Sequence, residues 1–139
     1  MTVERVTLDN VDDYVRAPAA GWGNSAEAEQ RLRANMIQRL EDATHPKLYY
    51  VARVDGLPAG SGALVPLARS GYLLGSSVVP ELRGRGVYRA LVAARVAALR
   101  EMGRPLVTIQ AVSHTSAPIC ARLGFDPVCE LRGYAWEAT

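Results

Sequence analysis

"ELRGRGVYRALV", Glu81 to Val92, is the stretch on which the reading of this chain turns. Its glycines at 84 and 86 permit the dihedrals of a tight turn. The apolar series Val87, Leu91, Ala94 and Ala98, widened by Val92, Val96 and Leu99, predicts a helix that begins just after Gly86. The entrance of that helix carries Arg83, Arg85 and Arg89, although the positive end of a helix dipole favours Asp or Glu. Free backbone N–H groups and guanidinium groups that converge on one point form the arrangement that binds phosphate or pyrophosphate. Two readings follow: an anion site whose negative charge belongs to a ligand, or a surface turn rich in Gly and Arg. Two familiar nucleotide motifs are excluded. A G-x-G-x-x-G run starting at Gly84 would need glycine where Arg89 stands, and no G-x-x-x-x-G-K-[ST] occurs.

Upstream, Pro80 cannot donate to a ladder and so ends a strand predicted from Tyr72 to Val79. "KLYYVARV" and "PAGSGALVPLA" read as two strands joined by the Asp55-Gly56 turn, a strong hairpin signal. Ser25 predicts the N-cap of a helix with Glu27 and Glu29 in its first turn and Leu32, Met36, Ile37 and Leu40 as its apolar stripe. Before it, Val3 to Leu8 alternates like a first strand, Asp13 to Arg16 reads as a short helix capped by Asp9 or Asn10, and "APAAGWGN" is expected to break the pattern. Downstream, Gly103-Arg104-Pro105 stops the helix and "LVTIQAV" reads as a strand. Ser116 suits a further N-cap, with Pro118 in the first turn and Gly124 at the stop. "PVCELRGYAWE" is expected to close the sheet as a final strand. The order implies a mixed α/β (α+β) domain with mostly hairpin connections and one crossover helix.

Composition narrows the function classes. At 139 residues, 49% hydrophobic and 22% charged, the chain reads as one domain, 1–139, with its own core. No apolar run approaches the ~20 residues that span a bilayer, and "MTVERVTLDN" lacks the regions of a signal peptide, so a cytoplasmic protein without membrane contact is expected. Cys120 and Cys129 cannot make a disulfide framework, no Cys/His cluster has metal-ligand spacing, and no metal is expected. A net charge of +2, with no aromatics interleaved near the basic stretch, argues against a nucleic-acid partner.

The central residues resemble those of the GNAT superfamily of N-acetyltransferases. The family's main motif, V-x-P-x-x-[RQ]-x-x-G-x-[GA], is met by Val78, Pro80, Arg83 and Gly86 after a strand and before a helix. Tyr88 departs from it, standing where Gly or Ala is usual. A second motif, roughly N-x-x-A-x-x-x-Y-x-x-x-G-F, is met at Ser116, Gly124 and Phe125, with Ser113 for the asparagine and Cys120 for the tyrosine. The resemblance spans about Lys47 to Phe125 and implies a mostly antiparallel central sheet flanked by helices.

It also implies acetyl-CoA as cosubstrate. The strand ending at Val78 and Val79 would pair with the pantetheine arm, and Arg83, Gly84, Arg85, Gly86, Val87, Tyr88 and Arg89 would cradle the pyrophosphate. Relatives often carry an acidic base on that strand, but "GYLLGSSVV" has none. Cys120 reads either as the proton donor to the departing thiolate or as a small buried apolar residue. His114 reads as a base or as a loop or capping residue. Trp22 lines the acceptor pocket or packs as core or lid. The function implied is acetyl transfer to a primary amine, small molecule or peptide. The alternative is a catalytically silent acyl-CoA-binding or interaction module, and a homodimer is left open.

Overall fold

The computed structural model describes residues 1–138. Its elements are β1 (Thr2–Arg5), α1 (Val11–Trp22), α2 (Ala26–Glu41), β2 (Leu48–Val54), β3 (Leu57–Pro66), β4 (Ser70–Val78), a short 3-10 turn (Pro80–Leu82), α3 (Val87–Glu101), β5 (Leu106–Ile109) and α4 (Ser116–Arg122). The strands form one five-stranded sheet in sequence order. The first four are antiparallel, and β5 joins β4 in parallel, as the α3 crossover requires. At the β2–β3 hairpin, Asp55 and Gly56 both take positive φ, the conformation that the Asp-Gly pair supplies.

The alternation of β2 divides the core into two layers. Tyr49 and Val51 face α1 and α2 with Val11, Tyr14, Val15 and Met36. Tyr50, Ala52 and Val54 face α3 with Leu64, Leu73, Val87, Leu91 and Leu99. Five of the seven β2 residues are therefore buried on one side or the other, which is why "LYYVARV" reads as nearly continuous apolar sequence. Arg53 ties the edge together by ion pairs to Glu4 and Asp13.

Four sequence expectations are corrected. The short helix at Asp13 to Arg16 is in fact the middle of α1, which runs through "APAAGWGN" as far as Trp22 with Pro18 inside it. Burial of Val11, Tyr14, Val15, Ala17 and Pro18 on one face outweighs the hydrogen bond that Pro18 removes. Gly21 lets that helix settle onto β4, since a Cβ there would overlap the Ser77 hydroxyl, which donates to the Ala17 carbonyl at 3.0 Å. β1 and β5 are shorter than expected, four residues each. Ser116 is the first residue of α4 and not its cap, because its hydroxyl accepts from the Val112 N–H at 2.9 Å. The final strand is absent: residues 125–138 hold no helix or strand, and Tyr134 and Trp136 are 91% and 86% exposed. A strand needs a ladder partner, and among the described residues this segment pairs with none.

Candidate active site

The site is organised along β4. Over Ser70 to Leu73 this strand pairs with β5, but from Leu74 to Val78 it pairs only with β3. The two parallel strands thus part company, and the edge of β4 ahead of Pro80 is left open. Within the same stretch the β3–β4 register slips. Ser61 faces Ser77 and Ala63 faces Leu74, so Gly75 and Ser76 bulge opposite Gly62. Gly75 has φ +60°, the left-handed region that a bulge residue of this kind uses.

Arg95 holds the bulge from the α3 side. Its guanidinium donates to the carbonyls of Ala63 (2.9 Å) and Leu74 (3.4 Å) and to the Ser76 hydroxyl (2.8 Å), while Nε donates to the Leu91 carbonyl. Burial pulls its pKa down to about 10, so it remains a cation at neutral pH, neutralised by backbone dipoles in place of a carboxylate. Gly62 makes room for it, because a Cβ there would lie 2.9 Å from the guanidinium carbon. Nothing in the sequence pointed to this residue, which sits in an otherwise ordinary helix.

Beyond Val78 the chain turns through Gly84 and Gly86, with φ of +77° and +80°, into α3. The helix start has no side-chain cap and no acidic residue in its first turn. Space beside Gly86 is open, the nearest atom to a built Cβ being the Met1 methyl at 4.0 Å. Of the three arginines, Arg83 donates to the Gly21 carbonyl at 3.3 Å, Arg85 pairs with Asp55 at 3.2 Å, and Arg89 has no ion pair among the described residues. Two of the three arginines are thus engaged by the chain itself, and the start of α3 lies exposed with its first N–H groups uncapped by any side chain.

Tyr88, in the first turn of α3, reaches across to α4. Its hydroxyl lies 3.4 Å from the Cys120 sulfur. Burial, and then the contact with Cys120, push the Tyr88 pKa well above the usual phenol value, so the hydroxyl keeps its proton. Two of the three departures from the family motifs, Tyr88 and Cys120, are thus neighbours in space. His114 is elsewhere: it is exposed on the loop before α4 and makes no hydrogen bond among the described residues.

On the opposite face, under α1 and α2, a cavity of about 170 Å³ opens at the bulge. Trp22, 57% exposed at the end of α1, forms its rim, and Tyr14, Tyr49, Arg39, Lys47, Leu74 and Gly75 are among its walls. The rings of Tyr14 and Tyr49 meet edge to face, 5.4 Å apart. The Tyr49 hydroxyl lies 2.8 Å from His45 Nε2. Burial raises both phenols, against which the nearby Arg39 guanidinium acts. A larger hollow of about 550 Å³ is bounded by α2 alone and brings no second element to a ligand.

The sequence profile of the acetyltransferase (GNAT) family matches residues 9–125. This chain belongs to that family. It is accordingly an acyltransferase, and the mixed sheet with flanking helices is the fold its structural neighbours share. The aminoglycoside 6'-N-acetyltransferase AAC(6')-IG from Acinetobacter haemolyticus superposes with a TM-score of 0.76 at 17% identity, covering 100% of both chains. AAC(6')-Iy, solved with a bisubstrate analogue of CoA and acetylneamine, gives 0.76 at 17% identity over 99% of this chain and 98% of its own. A GCN5-related N-acetyltransferase from Ralstonia eutropha gives 0.71 at 22% identity, over 96% and 97%. No curated protein matches the chain in sequence. Among the described residues no helix is long and apolar enough to cross a membrane.

Proposed function

We propose that this acyltransferase moves the acetyl group of acetyl-CoA onto a primary amine held in the cavity beneath Trp22. The observation that carries the reading is the alignment along β4: an uncapped, arginine-flanked helix end follows the strand, its edge is open from Leu74 to Val78, and its Gly75 bulge opens on the cavity. The residues fit the cosubstrate. N–H groups of Gly84 to Tyr88, with Arg83, Arg85 and Arg89, are suited to the pyrophosphate, and the backbone of the strand ending at Val78 and Val79 is suited to an amide-bearing arm. AAC(6')-Iy, of the same fold, was solved with a CoA-containing bisubstrate analogue.

When bound, acetyl-CoA supplies a thioester whose carbonyl carbon the amine nitrogen attacks, the C–S bond breaking with its electron pair on sulfur. The chain's own contribution is to place the amine and to move two protons. Tyr88, whose hydroxyl lies 3.4 Å from the Cys120 sulfur, is the donor we assign to the departing thiolate, with Cys120 packing against it. The tyrosine absent from position 120 is thereby replaced by one reaching in from α3. The proton leaving the amine goes to the Tyr49–His45 pair, where the Tyr49 hydroxyl at the cavity wall can accept it while passing its own to the imidazole. His114, exposed on its loop, takes no part.

The test is thiol release from acetyl-CoA with a panel of primary amines. Sustained release above the hydrolysis background is expected. Tight acetyl-CoA binding with no release from any amine would instead make the chain a silent acyl-CoA-binding module.

A further inference from the structure

The charge around the cavity narrows the acceptor. We propose that the acceptor is a small amine that also carries an anionic group, most simply a carboxylate, and that Arg39 and Lys47 hold that group. This deepens the reading above and rests on the cavity being the acceptor site. Among the described residues, the charged side chains lining the cavity are Arg39 and Lys47, and no acidic residue lines it. Both are half-buried, and neither is ion-paired to a carboxylate among the described residues. The carboxylate nearest in sequence to Lys47, Asp42, is engaged by the Thr44 hydroxyl and N–H. Two half-buried cations beside aromatic walls form a site that a carboxylate completes, by a bidentate contact with the arginine and a point charge from the lysine.

Size and chemistry agree with this. At about 170 Å³ the cavity is small, which favours a compact acceptor over a multi-ring one, and Tyr14, Trp22 and Tyr49 are among its lining residues. A polycationic acceptor such as an aminoglycoside would meet like charges here. The same two cations lower the proton affinity of a nearby ammonium, which favours the neutral amine that attack requires.

Matched pairs test the assignment: phenylalanine against phenethylamine, and tyrosine against tyramine, with kanamycin as the polycation. Calorimetric binding to the CoA-saturated protein is measured beside acetylation rates. The carboxylate members should bind at least tenfold more tightly, and Arg39→Gln and Lys47→Gln should erase that preference, raising KM for the carboxylate members far more than for the simple amines. If amines are acetylated with less than a twofold preference for the carboxylate, or if the preference survives both substitutions, the charge assignment fails while acetyl transfer stands. If phenylalanine binds in an Arg39-dependent way and no amine is acetylated, the charge assignment stands and the transfer reading fails.

Discussion

The N-termini of α2 and α3 pose the same electrostatic problem and answer it in opposite ways. At α2 the Ser25 hydroxyl accepts from the Ala28 N–H at 3.2 Å, and Glu27 and Glu29 stand in the first turn. At α3 the cap is Gly86 in the left-handed conformation, no side chain caps the helix, and the neighbouring charges are arginines. One helix end is capped by its own chain, and the other has no side-chain cap. The difference is what motivates the proposed anion site at α3: a residue type that folding alone would have favoured is missing there.

The comparison can be broken in four places, beginning with the largest effect. Tyr88→Phe, in the first turn of α3, should slow single-turnover acetyl transfer by roughly a hundredfold with cofactor affinity nearly unchanged, while Cys120→Ala should cost stability and leave turnover per folded molecule close to wild type. A large rate loss in a stable Cys120→Ala protein would move the proton donor to the thiol. Gly86→Asp puts a side chain and a negative charge into the anion position. Acetyl-CoA affinity should fall at least tenfold, about 1.4 kcal/mol, in a protein that still folds. Ser25→Ala is the control on the other helix: about 1 kcal/mol of stability lost on denaturant unfolding, with cofactor affinity unaltered. Arg89→Glu makes α3 resemble α2. It should stabilise the ligand-free protein by about 0.3–1 kcal/mol and weaken acetyl-CoA binding, so that melting temperature and affinity move in opposite directions. If both rise together, the arginines are not there for an anion.

Legibility in the sequence followed how local each feature is. The α3 entrance, the Asp55-Gly56 hairpin and the Ser25 cap are each written within a few consecutive residues, and each was readable. The length of α1 was not, because Pro18 and two glycines argue against helix locally, whereas the burial that decides the matter comes from β4 and the core. The arm at 127–137 has a strand's composition, and no local pattern can say whether a partner strand lies within reach. The loop proposed to hold the cofactor lies in one stretch of sequence, Arg83 to Arg89. The cavity does not, since Tyr14, Arg39, Lys47, Tyr49 and Gly75 come from α1, α2, the segment before β2, β2 and β4. Tyr88 was visible only as a departure from a motif. Its meeting with Cys120 gives that departure a chemical sense, because two substitutions far apart in sequence exchange a hydroxyl between helices.

The central claim is that the α3 entrance is built for a pyrophosphate, and the most direct measurement is the stabilisation of the protein by pieces of the cosubstrate. At about a hundredfold above its dissociation constant, acetyl-CoA should add roughly 2.7 kcal/mol to the unfolding free energy. Dephospho-CoA at the same concentration should retain most of that gain, since it keeps the pyrophosphate, and pantetheine should retain little. Equal stabilisation by pantetheine and by CoA would contradict the account.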